Sequence, residues 1–308
     1  MRAAVFTKYG GAVEVVDVPV PELLPDSVLI KVGAAAINPI DSIIRSGYMQ
    51  SLLTLQLPVT LGFDVSGVVT ECGSEVTQFQ SGDEIFGRAD TLQASTIADF
   101  VMVKASDLAM KPQSSTHAEA ASIPLAALTA WEGLVSEGEI ARGQRVLIQA
   151  GSGGVGTFAI QIAKHFGAFV ATTTSAKNEA LVTSLGADVV IDYQTQDFEA
   201  ELSDYDLVLD MLGGETLVKS LGVLKRGGTL VSIKGSPPPG LAEQFGVTFK
   251  SFFMWPDSTI LAELAGLVDA GVVKPVIDRV YPIAETADAY EYLAGGAATG
   301  KVVIEVNP

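Results

Sequence analysis

Residues 146–164 read Val-Leu-Ile-Gln-Ala-Gly-Ser-Gly-Gly-Val-Gly-Thr-Phe-Ala-Ile-Gln-Ile-Ala-Lys, and this stretch organises the whole chain. An apolar run of strand length ends at a glycine cluster, and helical spacing begins directly after it. Gly151, Gly153 and Gly156 fit the Gly-x-Gly-x-x-Gly pattern. There the first glycine allows a tight turn, the second lets backbone approach a pyrophosphate, and the third lets the helix pack on the strand. The stretch therefore predicts dinucleotide binding at a helix N-terminus, whose N–H groups favour phosphates.

The size and charge of the chain limit what it can be. The 308 residues are 48% hydrophobic, which allows one large or two medium domains with well-filled cores. With 19 basic and 36 acidic residues the net charge is −17. Nucleic acids and anionic membranes attract basic surfaces, so we expect neither as a partner.

Cysteine usage and the start of the chain bear on location. Cys72 is the only cysteine, so an intrachain disulfide and a cysteine-rich zinc site are both excluded. The opening residues Met1–Phe6 read as a strand rather than a signal peptide, and no apolar run approaches the length of a membrane span. We therefore expect a cytoplasmic protein.

The first 120 or so residues predict a β-rich region, punctuated by proline and glycine. From about Ala118 the pattern changes to alternating helices and strands, which is typical of a parallel sheet with helices on both faces. The predicted strands of this sheet are Arg145–Gln149, Phe169–Thr173, Val189–Asp192, Leu207–Asp210, Thr229–Lys234 and Val247–Met254, and the predicted helices are Gly154–Phe166, Asn178–Leu185, Thr216–Leu224 and Ser258–Ala270. The tail, with a strand at Val276–Val280, a helix at Ile283–Ala294 and a strand at Lys301–Val306, is expected to pack back on the first region.

The turn after the second parallel strand bears on which nicotinamide cofactor is used. A site for NAD usually has an acidic residue there, which holds the ribose 2′-hydroxyl. Here the turn reads Thr172-Thr173-Thr174-Ser175-Ala176-Lys177-Asn178, without a carboxylate. Ser175 can donate a hydrogen bond to a 2′-phosphate and Lys177 can supply positive charge, so we expect NADPH. Ser175 could equally cap the next helix while Lys177 is solvated, and both interpretations can hold together.

Metal ligands are scarce. The only histidines are His117 and His165, which we interpret as surface or capping residues. A catalytic zinc usually needs three His, Cys or carboxylate ligands, and these histidines with Asp64 and Cys72 match no familiar spacing. We therefore expect a metal-free enzyme.

Several further motifs, taken together in their order along the chain, are specific to one family of proteins. They are Ala36-Ile37-Asn38-Pro39-Ile40-Asp41, Ile44-Arg45-Ser46-Gly47, Pro58–Val69, Gly82-Asp83-Glu84-Ile85-Phe86-Gly87, Ala126 with Leu128-Thr129-Ala130-Trp131, Leu185-Gly186-Ala187-Asp188, Val190-Ile191-Asp192-Tyr193 and Ala298-Thr299-Gly300-Lys301-Val302-Val303. On these the chain resembles, over essentially its whole length, the quinone oxidoreductase and alkenal/enone oxidoreductase branch of the medium-chain dehydrogenase/reductase superfamily. Zinc-dependent relatives carry Gly-His-Glu where this chain has Gly62-Phe63-Asp64, so the resemblance is to the zinc-free branch.

The resemblance implies an α/β fold in two domains. A discontinuous GroES-like, β-rich substrate domain would comprise residues 1–118 and 274–308. A Rossmann domain, with a doubly wound parallel sheet that binds NADPH, would comprise residues 119–273. In such relatives the active site lies in the cleft between the two domains.

The resemblance also assigns site residues. Gly153, Gly154 and Val155 would contact the pyrophosphate. The 2′-phosphoadenosine would be surrounded by Ser175, Lys177 and Tyr193, and the nicotinamide or ribose side would be lined by Asn38, Thr129 and Lys301. Some relatives carry the 2′-phosphate lysine at the position of Asn178, so the choice between Lys177 and Asn178 stays open. Tyr193 could instead be a packed aromatic at a strand end.

The substrate side is less defined. By resemblance Arg45 lies at the substrate mouth, where it also contacts the cofactor, next to Tyr48. Tyr48 is our candidate catalytic hydrogen-bond donor to the substrate carbonyl oxygen, which gains negative charge when hydride reaches an enone. Alternatively, Tyr48 only forms part of an apolar wall of the site. Phe63, Phe252 and Trp255 are candidates for an apolar substrate pocket, although such aromatics more often belong to the core.

Three functions remain open from the sequence. The first is an NADPH-dependent reductase of quinones or of the C=C bond of α,β-unsaturated carbonyls, whose partner is that small molecule. The second is an enoyl-thioester reductase, and the third is a non-catalytic NADPH-binding sensor or structural dimer.

The resemblance favours a homodimer paired through edge strands. The apolar segment Val247–Phe253 is the candidate edge, and its alternative is an internal strand.

Overall fold

The computed structural model describes residues 1–51, 53, 55–90 and 95–307. Its strands are β1 (Arg2–Phe6), β2 (Glu14–Asp17), β3 (Ser27–Ile37), β4 (Val59–Thr60), β5 (Asp64–Cys72), β6 (Glu84–Arg88), β7 (Phe100–Lys104), β8 (Leu108–Met110), β9 (Arg145–Ile148), β10 (Phe169–Thr174), β11 (Val189–Asp192), β12 (Tyr205–Asp210), β13 (Leu224–Ser232), β14 (Thr248–Ser251), β15 (Ile277–Pro282) and β16 (Lys301–Glu305). Its α-helices are α1 (Pro39–Arg45), α2 (His117–Ala121), α3 (Pro124–Trp131), α4 (Gly154–His165), α5 (Glu179–Ser184), α6 (Phe198–Glu201), α7 (Gly214–Val223), α8 (Leu241–Phe245), α9 (Ser258–Asp269) and α10 (Thr286–Ala294).

The chain divides into two compact units. One contains Met1–Leu128, Trp255–Gly271 and the chain from Pro275 onward, and the other contains Thr129–Met254 and Val272–Lys274. The predicted domain bounds, 1–118 with 274–308 and 119–273, differ from these units mainly at residues 119–128 and 255–271. They stay a prediction.

The unit built around residues 129–254 is a parallel sheet in the order β11-β10-β9-β12-β13-β14. Every neighbouring pair in it is parallel. Counted from β9 this is the 3-2-1-4-5-6 order of a dinucleotide-binding sheet, whose order reverses between β9 and β12. The predicted doubly wound α/β fold is confirmed. The predicted edge is also confirmed, because β14 ends the sheet.

The β-rich unit is assembled from both chain ends, as predicted. Its larger sheet follows the order β15-β16-β3-β5-β6-β8, and β7 also pairs with β3. The register sets Ala36 opposite Asp64 and Ile37 opposite Val302. Consequently the C-terminal end of β3 and the N-terminal ends of β5 and β16 meet at one place. Polar residues at these three ends therefore lie close together inside the unit.

Two elements differ from the sequence prediction. The helix α9 was expected to complete the parallel-sheet domain, but it belongs to the β-rich unit, where its last residue Asp269 accepts hydrogen bonds from the backbone N–H groups of Gln113 and Ser114 at 3.2 and 2.8 Å. The helix α1 was not predicted. Its seven residues are too few to show a helical apolar period, and it is fixed instead by Pro39 in its first turn and by its cap.

Among the helices that the structure describes, none combines the length and the apolar character needed to cross a membrane.

Candidate functional site

The glycine turn lies between β9 and α4, as the sequence predicts. Methyl groups added at Gly151 and Gly156 would lie 2.0 Å from Thr172 Oγ1 and 2.4 Å from the Ala150 carbonyl oxygen, so these two glycines are required for packing. A methyl group at Gly153 would meet only the Ala150 oxygen, at 3.3 Å. Packing alone therefore does not require Gly153, whose half-buried backbone is left accessible to a ligand at the N-terminus of α4.

The threonines at the end of β10 hold this turn. Thr172 Oγ1 donates to the Ile148 carbonyl oxygen at 2.7 Å, and Thr173 Oγ1 donates to Gln149 Oε1 at 2.7 Å. Thr173 Oγ1 also accepts from the Ala150 N–H at 3.0 Å, and Thr174 Oγ1 donates to Ser152 Oγ at 2.8 Å. This network keeps Ala150 in the left-handed region, with φ of 55°. The shape of the turn is thus fixed by the neighbouring strand.

The predicted 2′-phosphate residues surround the end of β10. Ser175 is buried at the start of a 3₁₀ turn (Ala176–Asn178), where its side chain makes no capping hydrogen bond. Lys177 is exposed. Tyr193 is 63% exposed and its N–H donates to the Thr174 carbonyl oxygen at 3.1 Å, so it is not a packed strand-end aromatic. Asn178 Nδ2 donates to Ser152 Oγ at 3.0 Å, which ties that side chain to the glycine turn.

A buried polar cluster occupies the meeting point of β3, β5 and β16. Lys301 Nζ donates to Asn38 Oδ1 at 2.6 Å and to Asp64 Oδ2 at 3.1 Å, and Asn38 Nδ2 donates to Asp64 Oδ2 at 2.9 Å. The remaining Asp64 oxygen accepts from the Leu125 N–H at 2.8 Å. All three side chains are buried. The structure therefore joins Asn38 and Lys301, which the sequence placed together by resemblance, and adds Asp64.

Asp41 extends the cluster from helix α1. Its Oδ2 accepts from the Asn38 backbone N–H at 2.8 Å and from the Tyr290 hydroxyl at 3.2 Å, and its buried Oδ1 has no hydrogen-bond partner among the described residues. Burial raises the pKa of the Asp41 carboxyl to about 7, and the charge of Asp64 acts in the same direction. Sequence reasoning missed Asp41, Asp64 and Tyr290 as site residues. The available signal was the Asn-Pro-Ile-Asp run, an N-cap followed by an acid at the third helical position.

The other predicted residues lie in varied settings. Tyr48 is 86% exposed, whereas Arg45 Nη1 donates to the Gly11 carbonyl oxygen at 2.6 Å. Phe63 is buried in the interior, with the Arg88 guanidinium carbon 5.2 Å from its ring centroid, which favours the core role for this aromatic. Of the remaining three, Thr129 is buried, Phe252 is half-buried and Trp255 is exposed. Their roles stay predictions.

His117, which we interpreted as a surface or capping residue, is half-buried at the first position of α2. Its Nδ1 lies 2.9 Å from Ser66 Oγ and its Nε2 lies 3.5 Å from Glu84. A methyl group at Gly33 would come within 2.8 Å of the imidazole, so the ring fills a space that this glycine leaves. Burial lowers the pKa of His117. His165 is in the last turn of α4, as expected.

The described residues do not fit a metal centre. No three His, Cys, Asp or Glu side chains within the described ranges are grouped so that they could hold a metal ion. The most buried carboxylate of the cluster, Asp64, already contacts the Lys301 ammonium. An ammonium at this position supplies the positive charge that a cation would otherwise bring.

Two family descriptions and several known proteins match the chain. Residues 24–113 match the alcohol dehydrogenase GroES-like domain, and residues 185–304 match the family described as zinc-binding dehydrogenase. The mouse protein "NAD(P)H oxidoreductase RTN4IP1, mitochondrial" is 38% identical over 92% of this chain and 82% of its own length. The Arabidopsis thaliana "NADPH-dependent alkenal/one oxidoreductase, chloroplastic" is 39% identical over 100% of this chain and 80% of its own length.

A solved structure also matches the fold of this chain. The quinone oxidoreductase from Coxiella burnetii superposes with a TM-score of 0.93 at 34% identity, covering 100% of this chain and 99% of its own. The fold and the glycine turn thus define a two-unit, nucleotide-binding protein with a GroES-like region. The chain belongs to the medium-chain dehydrogenase/reductase superfamily, among the quinone and alkenal/one oxidoreductases. The family resemblance drawn from the sequence is confirmed.

Proposed function

We propose that this protein is an NADPH-dependent oxidoreductase that reduces quinones, or the C=C bond of α,β-unsaturated carbonyls, by hydride transfer without a metal. The observation that carries the proposal is the glycine turn, where Gly153 is much less constrained by packing than Gly151 and Gly156 and lies beside a strand end that lacks an acidic residue. NADPH supplies the hydride when it is bound. The relatives named above support both the cofactor and the substrate class.

The geometry of the turn supports the proposed cofactor residues. The backbone of Gly153, Gly154 and Val155 opens helix α4, and its N–H groups are suited to the pyrophosphate. Ser175, Lys177 and Tyr193 surround the end of β10, where the 2′-phosphate is proposed to bind. Because Asn178 is tied to Ser152, Lys177 is the better candidate for the phosphate contact.

Replacing Lys177 by alanine is expected to weaken NADPH binding about tenfold and to leave NADH binding unchanged, since only NADPH carries the 2′-phosphate. Fluorescence titration with both cofactors measures this. The matched control is Asn178→Ala, which loosens the glycine turn and should weaken both cofactors alike. Equal weakening of NADH by Lys177→Ala, or NADPH-selective weakening by Asn178→Ala, would contradict the assignment.

The substrate chemistry suggests roles for the other predicted residues. Hydride addition to an enone builds negative charge on the carbonyl oxygen, which a hydrogen-bond donor or a positive charge stabilises. Asn38 and Lys301, held by Asp64, are proposed for the reacting end of the cofactor together with Thr129. Tyr48 is proposed as the donor to the carbonyl, with Arg45 nearby, and Phe252 and Trp255 are proposed as apolar contacts of the substrate, whereas Phe63 is left to the core.

A small substrate panel tests the proposed function. NADPH and NADH consumption is followed with a 1,4-quinone, a linear alkenal, a cyclic enone and an enoyl thioester, each with and without a chelator. NADPH-linked turnover of the quinone or an enone that survives chelation is the expected result. Turnover of the thioester alone would favour an enoyl-thioester reductase, and tight binding without turnover would favour a sensor or structural protein.

A homodimer and a cytoplasmic location complete the proposal. The strand β14 lies at the edge of the parallel sheet with apolar residues alongside it, which supports pairing with a second copy. Sedimentation that shows only a 32.1 kDa species would contradict the dimer. The cytoplasm is supported by the single cysteine, although the mouse relative is named as mitochondrial and the Arabidopsis relative as chloroplastic, and cell fractionation tests it.

A further inference from the structure

The buried cluster contains a second carboxyl beside its ion pair. Lys301 and Asp64 are in direct contact at 3.1 Å, whereas Asp41 forms no ion pair among the described residues. Ionised Asp41 would therefore make the charge of the cluster one unit more negative in a region of low dielectric. A protonated Asp41 does not add that charge.

Some groups around Asp41 raise the pKa of its carboxyl and others lower it. Asp64 on β5 raises the pKa of the Asp41 carboxyl, whereas Lys301 on β16, the hydroxyl of Tyr290 on α10 and the Asn38 N–H lower it. Two arginines complete the charged surroundings, Arg45 on α1 itself and Arg88 on β6. With burial as the largest cause, the pKa of Asp41 is about 7. One proton is thus gained or lost in the cluster within the physiological pH range.

We propose that Asp41 is a positioning residue that holds Asn38, and through it Lys301, in place for the cofactor, and that its proton sets the charge the cluster presents to NADPH. This inference rests on the proposed function, because it takes Asn38 and Lys301 as the residues that face the cofactor. NADPH is a polyanion, so the cluster accepts it more readily when Asp41 does not add its negative charge. The protein therefore binds NADPH best with Asp41 protonated, and binding draws a proton onto Asp41.

Cofactor affinity measured against pH tests the proposal. The wild-type affinity for NADPH is expected to fall roughly fivefold as the pH rises through 7, beyond any change that comes from the cofactor itself. Asp41→Asn keeps the shape of the side chain without the ionisation, so its affinity should lack this step. Tyr290→Phe removes a donor that favours the carboxylate and should move the step to higher pH.

A matched control distinguishes this role from a general effect of removing a buried aspartate. Asp107 is also buried, and burial raises the pKa of its carboxyl, but its hydrogen bond from Ser106 lies outside the cluster. Asp107→Asn should keep the wild-type step. A step that is the same in wild type, Asp41→Asn and Asp107→Asn would overturn the proposal.

Proton uptake gives a readout that does not depend on turnover. Calorimetric titration of NADPH at pH 7 in buffers of different ionisation enthalpy should show that the wild type takes up roughly 0.3 proton per chain more than Asp41→Asn. Equal uptake by the two proteins overturns the inference and leaves the proposed function intact. Absence of NADPH binding in the wild type overturns both.

Discussion

Replacing Lys301 by methionine is expected to lower the free energy of unfolding by about 3 to 5 kcal/mol, because it leaves a buried carboxylate without its partner. Lys301 and Asp64 are almost entirely buried, and their charged atoms lie 3.1 Å apart. The Asn38 amide oxygen would lose its 2.6 Å donor as well. Urea denaturation monitored by fluorescence measures the loss.

Two further variants distinguish this explanation from a general sensitivity to lysine removal. Lys225→Met removes the partner of Asp206 in an ion pair whose lysine is half exposed and whose carboxylate keeps the Arg145 N–H as a donor, and it should cost about 1 kcal/mol. The double variant Asp64→Asn with Lys301→Met leaves no uncompensated charge and should be more stable than Lys301→Met alone. A Lys301→Met protein no less stable than Lys225→Met would contradict the importance given to the cluster.

The same Lys301 variant should also impair the enzyme. We expect kcat/KM for NADPH-dependent reduction to fall by about 100-fold, since both a positive charge and the support of Asn38 disappear from the proposed reacting end of the cofactor. The double variant should regain stability but not activity. Recovery of both together would indicate that Lys301 is only structural.

The second large effect concerns the glycine turn. Gly156→Ala is expected to destabilise the protein by about 3 kcal/mol, because the added methyl group would lie 2.4 Å from the Ala150 oxygen and 2.7 Å from the Gly151 Cα, both of which are backbone atoms. Gly153→Ala should cost much less, about 1 kcal/mol or below, since only the Ala150 oxygen, at 3.3 Å, would have to shift slightly. It should nevertheless weaken NADPH binding by tenfold or more, because the methyl group occupies the approach of the pyrophosphate.

Unfolding curves and cofactor titrations on the two glycine variants separate these effects. The expected pattern is a folding defect at Gly156 and a binding defect in a well-folded protein at Gly153. Normal NADPH affinity in Gly153→Ala would show that the pyrophosphate does not approach the turn there, and that the cofactor assignment is wrong.

Local patterns in the sequence predicted the parallel sheet closely. The predicted strand Val189–Asp192 matches β11, and the helix predicted at Gly154–Phe166 is α4 to within one residue. Strands buried on both faces and helices with one apolar face leave periodic signals within a few residues, so they can be recognised without knowledge of the rest of the fold. The glycine pattern could be recognised for the same reason, because its glycines lie within a few residues of one another.

The buried cluster could not be derived in this way. Lys301 contacts Asn38 across 263 residues of sequence, and Tyr290 contacts Asp41 across 249. The register that aligns β3, β5 and β16 brings Lys301 to Asn38, and the contact of α10 with α1 brings Tyr290 to Asp41. No local propensity encodes either arrangement. The family resemblance supplied Asn38 and Lys301, but not the carboxyl groups that hold them. The helix α9 shows a similar limit, because its apolar face does not reveal which sheet it covers.

Transfer of label from NADPH deuterated at the reactive C4 position of the nicotinamide tests the central claim most directly. With a linear alkenal or cyclic enone, and with chelator present, we expect the deuterium at the β-carbon of the reduced product and none of it in water. A reduced enone without deuterium, or no turnover of either enone or of a 1,4-quinone by an NADPH-saturated protein, would contradict metal-free hydride transfer as the function proposed for this chain.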